Sequence, residues 1–336
     1  MTYSTGGLIE ATDYNTFAGN TTAGLNRVWS TGAGDAGWGQ TDIAVVSAGG
    51  VVTATNWATL VNSLTTAGAQ TSTTLTSRTA PVTGNIVSIL ANVQTDITSV
   101  TTNRGNAASS GAEVGYASGT TTLTTNFPVT SPSKVTWTIT FTHTVTFPSA
   151  DQARYFWNAG GRVRLQFGKT TTGFDIDPDW NTLAGQPGSI YLTGRVNSAA
   201  QTIAAVSYTG TTRIGGTGGT QTTLATTTGW YQLIGTPTTI CQLNNATAPY
   251  TGEYIRTTAT QTSSTVLTLV TTWFQPAVSA AGTTTNITGG TAPALGAITI
   301  TGTGPTTLCT YFPPSTAQGL SNSWGTPSIA AATSVA

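Results

Sequence analysis

The clearest pattern in this chain is a long alternation of apolar and threonine side chains over residues 133–147. One side of the alternation is apolar or aromatic apart from one histidine, and consists of Val135, Trp137, Ile139, Phe141, His143, Val145 and Phe147. Every intervening position from 136 to 146 is threonine. Because successive side chains of a strand point to opposite faces of a sheet, the alternation predicts a long strand with one buried face and one polar face.

The next segment predicts a short helix followed by a second strand. Ser149 and Gln152 have the spacing of a helix capping box, which predicts a helix over about 149–159. Two glycines stop this helix. The run RVRLQF then alternates again, which predicts a strand that buries Val163, Leu165 and Phe167.

From about residue 117 onwards, short alternating runs recur between clusters of Gly, Pro, Asn and Ser. They predict further strands at 188–196, 228–235, 252–260, 264–274, 296–302 and 307–312. Many short strands separated by turn signals predict a threonine-rich antiparallel β-sandwich-like domain over 117–336. Within this domain a glycine-rich loop is expected at 279–305.

Residues 1–112 have helical spacing instead, and we expect a small helical region that anchors or oligomerises the protein. Thr55 fits as the N-cap of a helix whose buried face is Trp57, Leu60, Val61 and Leu64. A short strand is predicted at 42–46. The whole chain is therefore expected to be mainly β, with a helical N-terminal region ahead of the sandwich.

A further helix, predicted over 85–103, carries an apolar stripe with two alternative interpretations. Its residues step by four, three, four and three, the heptad rhythm of a coiled coil: Ile86, Leu90, Val93, Ile97 and Val100. The stripe packs on the Trp57 helix within one chain, or it forms a seam between subunits. The seam would make the protein a homo-oligomer, most plausibly a trimer, which the β-branched residues permit but do not dictate. Two heptads are fewer than a free coiled coil needs.

The composition also predicts a surface with few charges. Charged residues are 7% of the chain, against about 25% in average soluble proteins, and the net charge is zero. Such neutrality suits a subunit that packs against neighbours. Lys134 and Lys169 are the only lysines, so nucleic acid is not expected as a partner. The N-terminal residues have no signal-peptide pattern, and no apolar run could cross a bilayer, so we expect synthesis in a cytoplasm without membrane insertion.

Few residues suggest chemistry. Asp175, Asp177 and Asp179 resemble the start of a calcium loop, but Trp180 stands where an EF-hand needs glycine. A looser calcium site and solvated turn aspartates are the remaining alternatives. His143 is the sole histidine and, among apolar neighbours, is expected to be a hydrogen-bonded core residue. We therefore predict no catalytic residues, no cofactor and no enzyme activity.

Several runs of the chain together point to a known family: TYSTGGLIEATDYNTFAG, LNRVWSTGAGDAGWGQT, VTATNWATLVNSL, TNRG, TVTFPSADQARYFWNAGGRVRLQF, YTGEYI and LSNSWGT. Through them the chain resembles the uncharacterised virion structural proteins of tailed phages, of cyanophage and marine-phage type. The resemblance implies a non-enzymatic component of the virion, a fibre, appendage or decoration subunit present in multiple copies. Its partners would be further copies of itself and other virion proteins.

Two other functions are open at this stage. The first is a receptor- or glycan-binding adhesin domain of a tail fibre, since aromatic side chains can stack on sugar rings. The aromatic candidates, for each of which core packing is the default, are Trp157, Trp180, Tyr191, Tyr208, Trp230, Tyr231 and Trp273. The second is a secreted or cell-surface filament subunit, which the absence of a leader pattern disfavours.

Overall fold

The structure is a computed structural model that describes residues 10–32, 34–83, 92–120, 137–169, 177–246, 252–276 and 305–336. The α-helices in these residues are α1 (Ala11–Ala18), α2 (Asn26–Trp29), α3 (Ala54–Thr71), α4 (Val93–Thr102), α5 (Ala150–Asn158) and α6 (Asp177–Gly185). The strands are β1 (Val114–Thr120), β2 (Trp137–Thr146), β3 (Arg162–Lys169), β4 (Ser189–Thr193), β5 (Gln201–Ile203), β6 (Val206–Tyr208), β7 (Thr211–Ile214), β8 (Thr220–Leu224), β9 (Thr238–Asn244), β10 (Tyr254–Ser263), β11 (Val266–Gln275), β12 (Pro305–Phe312) and β13 (Ser328–Val335).

These strands form two large antiparallel sheets and one small hairpin. The five-stranded sheet has the order β1-β12-β3-β4-β7, and the six-stranded sheet has the order β13-β2-β11-β10-β9-β8. Strands β5 and β6 form a separate two-stranded hairpin. The mainly β fold predicted from the alternation is confirmed.

The inner faces of the two large sheets pack against each other. Trp273 on β11 donates a hydrogen bond from Nε1 to Thr307 Oγ1 on β12 at 3.2 Å. Its ring also lies 6.5 Å from that of Phe167 on β3. Gly119 on β1 is so close to β2 that an added Cβ would stand 2.5 Å from the Phe141 ring. The sheets therefore form the two layers of a sandwich.

Strand β2, the strand predicted most clearly, lies inside the six-stranded sheet. It pairs with β11 on one side and with β13 on the other. Ile139, Phe141, His143 and Val145 are buried between the sheets, as their alternation with threonine predicts. Residues 133–136, the start of the predicted strand, lie outside the described residues.

The outer surface of the six-stranded sheet, which we call the threonine face, is small and nearly uncharged. It is formed by Thr140, Thr142 and Thr144 of β2, Thr268, Val270 and Thr272 of β11, Arg256, Thr258 and Thr260 of β10, and Ala330, Ala332 and Ser334 of β13. Arg256 is the one charged side chain of this set. Thr is well suited to such a surface because it is β-branched and its hydroxyl stays polar without charge.

The N-terminal helices pack around Trp57 of α3. The Trp57 ring meets that of Tyr14 from α1 edge to face, with 5.2 Å between centroids. Helix α3 begins two residues earlier than predicted, because Thr53 and not Thr55 is its N-cap. Thr53 Oγ1 accepts from Asn56 N at 3.2 Å, and Asn56 Oδ1 accepts from Thr53 N at 2.9 Å. This reciprocal pair is a capping box.

The strand predicted at 42–46 is instead an extended segment that pairs with side-chain amides. Asn26 donates to Ile43 O at 2.8 Å and accepts from Ile43 N at 2.9 Å. Asn15 bonds Val46 in the same way, at 2.7 and 2.8 Å. Each amide thus satisfies both polar groups of one residue, as a neighbouring strand would, so the segment needs no sheet partner.

The two regions predicted as separate units share one continuous core. At their junction Trp38 Nε1 lies 3.2 Å from Arg104 O and 3.3 Å from Asn158 O, and so contacts both regions. Arg104 in turn forms an ion pair with Asp35 at 2.8 Å. Gln40 and Ser321 exchange two further bonds between the regions. The helices and the sheets are therefore packed as one structure.

Other predicted elements have mixed outcomes. Helix α5 and strand β3 form as predicted, and Ser149 Oγ accepts from Gln152 N at 3.1 Å at the start of the helix. The strand predicted at 228–235 is wrong, because Trp230–Gln232 form a short 3-10 helix. Gly229 N donates a hydrogen bond to Gln232 Oε1, and the Trp230 ring stacks on that of Trp157. These two contacts turn the chain towards the core. The segment 296–302 and nearly all of the loop 279–305 lie outside the described residues.

Candidate functional site

The outer face of the five-stranded sheet carries an unusual group of arginine and aromatic side chains. Val163 and Leu165 of β3 point into the core, so Arg162 and Arg164 point outwards. In a chain with 7% charged residues, two arginines side by side on one strand face stand out. We call their group the arginine cluster: Arg162, Arg164, Tyr191, Tyr208, Phe312, Thr310, Ser110 and Glu113.

Arg162 lies at the centre of the arginine cluster, between two aromatic rings. Its guanidinium carbon is 5.1 Å from the centroid of the Tyr208 ring and 5.0 Å from that of Phe312. Only 4% of the residue is exposed. Aromatic faces attract cations, so the rings offset part of the cost of burying this charge. The guanidinium also donates through Nη2 to Ser110 Oγ.

Tyr208 reaches Arg162 because the β5–β6 hairpin folds over the end of the sheet. The turn residues Ala204 and Ala205 both have positive φ, of 49° and 64°, as a tight two-residue hairpin requires. Ala107 binds this hairpin through two backbone bonds of 2.8 Å, from Ala107 N to Thr202 O and from Ala204 N to Ala107 O. The hairpin therefore holds the Tyr208 ring in place as one wall of the arginine cluster.

Arg164 lies beside Arg162 and is more open. Arg164 forms an ion pair with Glu113, whose side chain is 39% exposed. The guanidinium carbon of Arg164 is 5.2 Å from the centre of the Phe312 ring. The strand registers place Arg164 in one row across four strands, in the order Tyr116, Thr310, Arg164 and Tyr191. Directly opposed residues in such a row have side chains about 5 Å apart.

The arginine cluster contains several buried polar atoms without a hydrogen-bond partner among the described residues. They are Arg162 Nε and Nη1, Arg164 Nε, and Thr310 Oγ1. No carboxylate in the described part of the chain forms an ion pair with Arg162. Such groups are rare in native proteins, since each one costs about 1–3 kcal/mol or more when charged.

The electrostatics follow from this burial. Burial lowers the pKa of the Arg162 guanidinium, and the neighbouring Tyr208 and Tyr191 oppose that shift. Burial also raises the pKa of the Tyr208 hydroxyl, which Arg162 opposes. With Glu113 as its only carboxylate, the arginine cluster has two positive charges and one negative charge. It is therefore a site of net positive charge with donors that lack acceptors.

A groove of about 310 Å³ lies at the start of β1 and the end of β12, and no residue of the arginine cluster is in its lining. Val114 and Pro313, the chain neighbours of Glu113 and Phe312, line one part of it, and Asn322 and Trp324 line another. Pro314, also in its wall, pairs with the backbone of Ser110. This volume is at the lower end of the range for small-molecule sites.

The predicted calcium site stays a prediction, because its side chains are not among those the structure describes. Asp175 lies outside the described residues, and for Asp177 and Asp179 only the backbone is described, in the first turn of α6. Within the described ranges, no group of three His, Cys, Asp or Glu residues is placed to hold a metal ion.

The structure describes three of the five residues of the heptad stripe. Val93, Ile97 and Val100 are buried within the single chain, in the core that they share with Trp57. For these three residues the intrachain alternative is the one that the structure shows. Ile86 and Leu90 lie outside the described residues. The oligomeric state, including the trimer, stays a prediction.

The remaining predicted candidates are core residues. His143 is fully buried between the sheets, and burial lowers the pKa of its imidazole although the backbone at Ala117 and Thr307 opposes the shift. Most of the aromatic residues considered for sugar stacking are buried, namely Trp157, Trp180, Tyr208, Trp230 and Trp273. Tyr191 and Tyr231 are partly exposed.

Arg162, Arg164 and Phe312 were not predicted from the sequence as site residues. The signal was present in RVRLQF, because the alternation that turns Val163 and Leu165 into the core places Arg162 and Arg164 on the opposite face of the sheet. Their aromatic partners come from strands far away in the sequence, and no local pattern identifies those.

Comparisons with known proteins add no relative. No protein-family model, no curated protein and no solved structure matches this chain. Among the described helices, none is both long and apolar enough to cross a membrane.

Proposed function

We propose that this chain is a non-enzymatic structural subunit of a tailed-phage particle, present in multiple copies as a fibre, appendage or decoration element. The observation that carries the proposal is the threonine face, a broad sheet surface with one charged residue, Arg256. A surface without charge repulsion suits repeated packing of identical subunits. The resemblance of the N-terminal runs to virion proteins supports the same function.

The partner we propose for the threonine face is a second copy of this chain. Three of its strands have ten residues and the fourth, β13, has eight, so they span about 25–30 Å, and four strands side by side span about 20 Å. The face thus offers about 600 Å² per partner, somewhat below the ~800 Å² of a standard stable interface. Zero net charge removes the repulsion that two copies of a charged protein would have.

Two experiments test this proposal. Mass spectrometry of purified virions should detect the protein at many copies per particle, and its absence would overturn the proposal. For the interface, Thr142→Glu combined with Thr268→Glu puts like charges on both copies at the centre of the face. We expect the variant to have a smaller mass than the wild type by light scattering. Ser118→Glu, exposed on the other sheet, is the matched control and should leave the mass unchanged.

A second candidate function, an adhesin domain that binds host-surface glycan, is favoured by one specific observation. The arginine cluster combines partly exposed aromatic rings with unpartnered donors. Sugar-binding sites use these two features, because ring faces pack on C–H surfaces while polar groups bind hydroxyls and charges. Binding of host envelope polysaccharide to the full chain is the test of this candidate.

A further inference from the structure

We propose that the arginine cluster binds the carboxylate group of an acidic sugar. This inference rests on the second candidate function and assigns it a substrate class. Its starting point is Arg162, a buried guanidinium with two nitrogen atoms that lack hydrogen-bond partners among the described residues. Since a buried cation without an acceptor is costly, a bound anion would remove that cost.

The available donors match a carboxylate. A carboxylate only accepts hydrogen bonds, and the unpartnered atoms of Arg162 and Arg164 are only donors, with the Thr310 hydroxyl beside them. Hydrogen bonds between guanidinium and carboxylate are among the strongest in proteins. Because Glu113 already balances one of the two arginines, one positive charge remains. A single remaining charge favours a singly charged carboxylate over a phosphate monoester.

The surroundings favour a sugar as the carrier of the carboxylate. Tyr191 and Phe312 are partly exposed at the rim, and Tyr116, on the same face, is 76% exposed. Aromatic faces of this kind pack against the C–H faces of sugar rings. The occupant is thus an acidic oligosaccharide and not an isolated ion.

Glu113 gives the proposal a directional test. Its carboxylate is bound to Arg164 and would lie beside the incoming carboxylate, which it repels. Glu113→Gln should therefore tighten binding of an acidic sugar, because it adds a net positive charge to the cluster. Arg164→Gln should weaken binding at least about tenfold, because it removes a charged donor. A role limited to folding would not move the affinity in opposite directions.

The experiment measures binding of galacturonic acid oligosaccharides to the full chain by calorimetry, with the methyl-esterified oligosaccharides and acetate as the comparison ligands. We expect the acid to bind and the ester to bind at least about tenfold more weakly. Arg154→Gln, which also removes an arginine that lies over a tyrosine ring but outside the arginine cluster and the threonine face, is the matched control and should bind like the wild type. Circular dichroism confirms that each variant is folded.

Each alternative outcome has a definite meaning. Equal binding of acid and ester would overturn the carboxylate inference and leave the glycan-binding candidate in place. Acetate binding as tightly as the oligosaccharide would overturn the sugar as carrier. An absence of binding to these ligands and to a panel of neutral and acidic envelope polysaccharides would overturn the adhesin candidate itself. Equal affinity of the Glu113→Gln and Arg164→Gln variants would show that the bound anion lies elsewhere.

Discussion

Ile97 on α4 provides the sharpest test of how the N-terminal region is held together. The residue is 0% exposed within the single chain and lies in the core that contains Trp57. Ile97→Asp places a carboxylate in that apolar contact. With Ile97 in an intrachain core the variant loses its own fold, whereas with Ile97 in an intersubunit seam it would lose only its partner subunits.

The expected size of the effect is large compared with the stability of a domain. Truncating a buried isoleucine costs about 2–5 kcal/mol. Burying an unpaired carboxylate adds several kcal/mol, or forces its protonation at a similar cost. A loss of about 5 kcal/mol or more approaches the 5–15 kcal/mol that stabilise a typical protein. We therefore expect Ile97→Asp to unfold the N-terminal helices near room temperature.

Urea unfolding followed by circular dichroism and tryptophan fluorescence measures this loss, and light scattering measures the mass in parallel. Thr98→Asp is the matched control, since Thr98 is exposed on the same helix. We expect that control to stay within about 0.5 kcal/mol of the wild type. A folded Ile97→Asp monomer of nearly wild-type stability, obtained from an oligomeric wild type, would refute the intrachain core.

Three further predictions concern buried polar groups. Asp96→Asn should destabilise the protein by about 3–5 kcal/mol in urea unfolding, because Arg78, 2.5 Å from Asp96, would keep a buried charge without that carboxylate. Burial raises the pKa of Tyr14 to about 12. Its contribution to stability is therefore complete below about pH 10 and is lost as the pH rises to about 12, which unfolding across that range would show. Burial also raises the pKa of Cys241 to about 12 and that of Cys309 still further. Neither thiol should react with iodoacetamide at about pH 8 until urea unfolds the chain.

Each of these predictions has a control or a contrary result. Asp151→Asn breaks an exposed ion pair with Arg154 and should cost less than about 1 kcal/mol; an equal cost for Asp96→Asn would contradict the buried pair. Tyr14→Phe removes the titrating hydroxyl, so its alkaline loss of stability should be smaller than that of the wild type. Rapid labelling of either cysteine in the folded protein would show that the sandwich opens far more readily than its packing suggests.

The elements that the sequence predicted well are those in which a local pattern and the burial agree. Strand β2, helix α5 and strand β3 follow from alternation and from a cap within a few residues of each element. The heptad stripe shows the limit of such patterns. Its spacing requires an apolar partner for Ile97, but the same spacing fits α3 of one chain and a helix of a second chain equally well.

Long-range polar pairing explains the main misses. The segment 42–46 is a short apolar run like that of a strand, yet its backbone groups at Ile43 and Val46 bond to the side-chain amides of Asn26 and Asn15. A strand pattern in the sequence does not identify such partners. Arg162 could be placed outside the core from the sequence. Its rings could not, because Tyr208 and Phe312 reach it from a hairpin and a strand that only the folded topology brings together.

The position of β2 between β11 and β13 has a consequence for biosynthesis. Its partner residues on β11 are made about 120 residues after it, since Thr146 pairs with Val266, and those on β13 later still. At about 5–20 residues per second, β2 spends roughly 6–24 s on the ribosome before the first partner strand is complete. During that time both of its edges and its apolar face are unprotected, which is a hazard for aggregation. We therefore expect the yield of folded protein to depend on translation speed and on chaperones that shield this one strand.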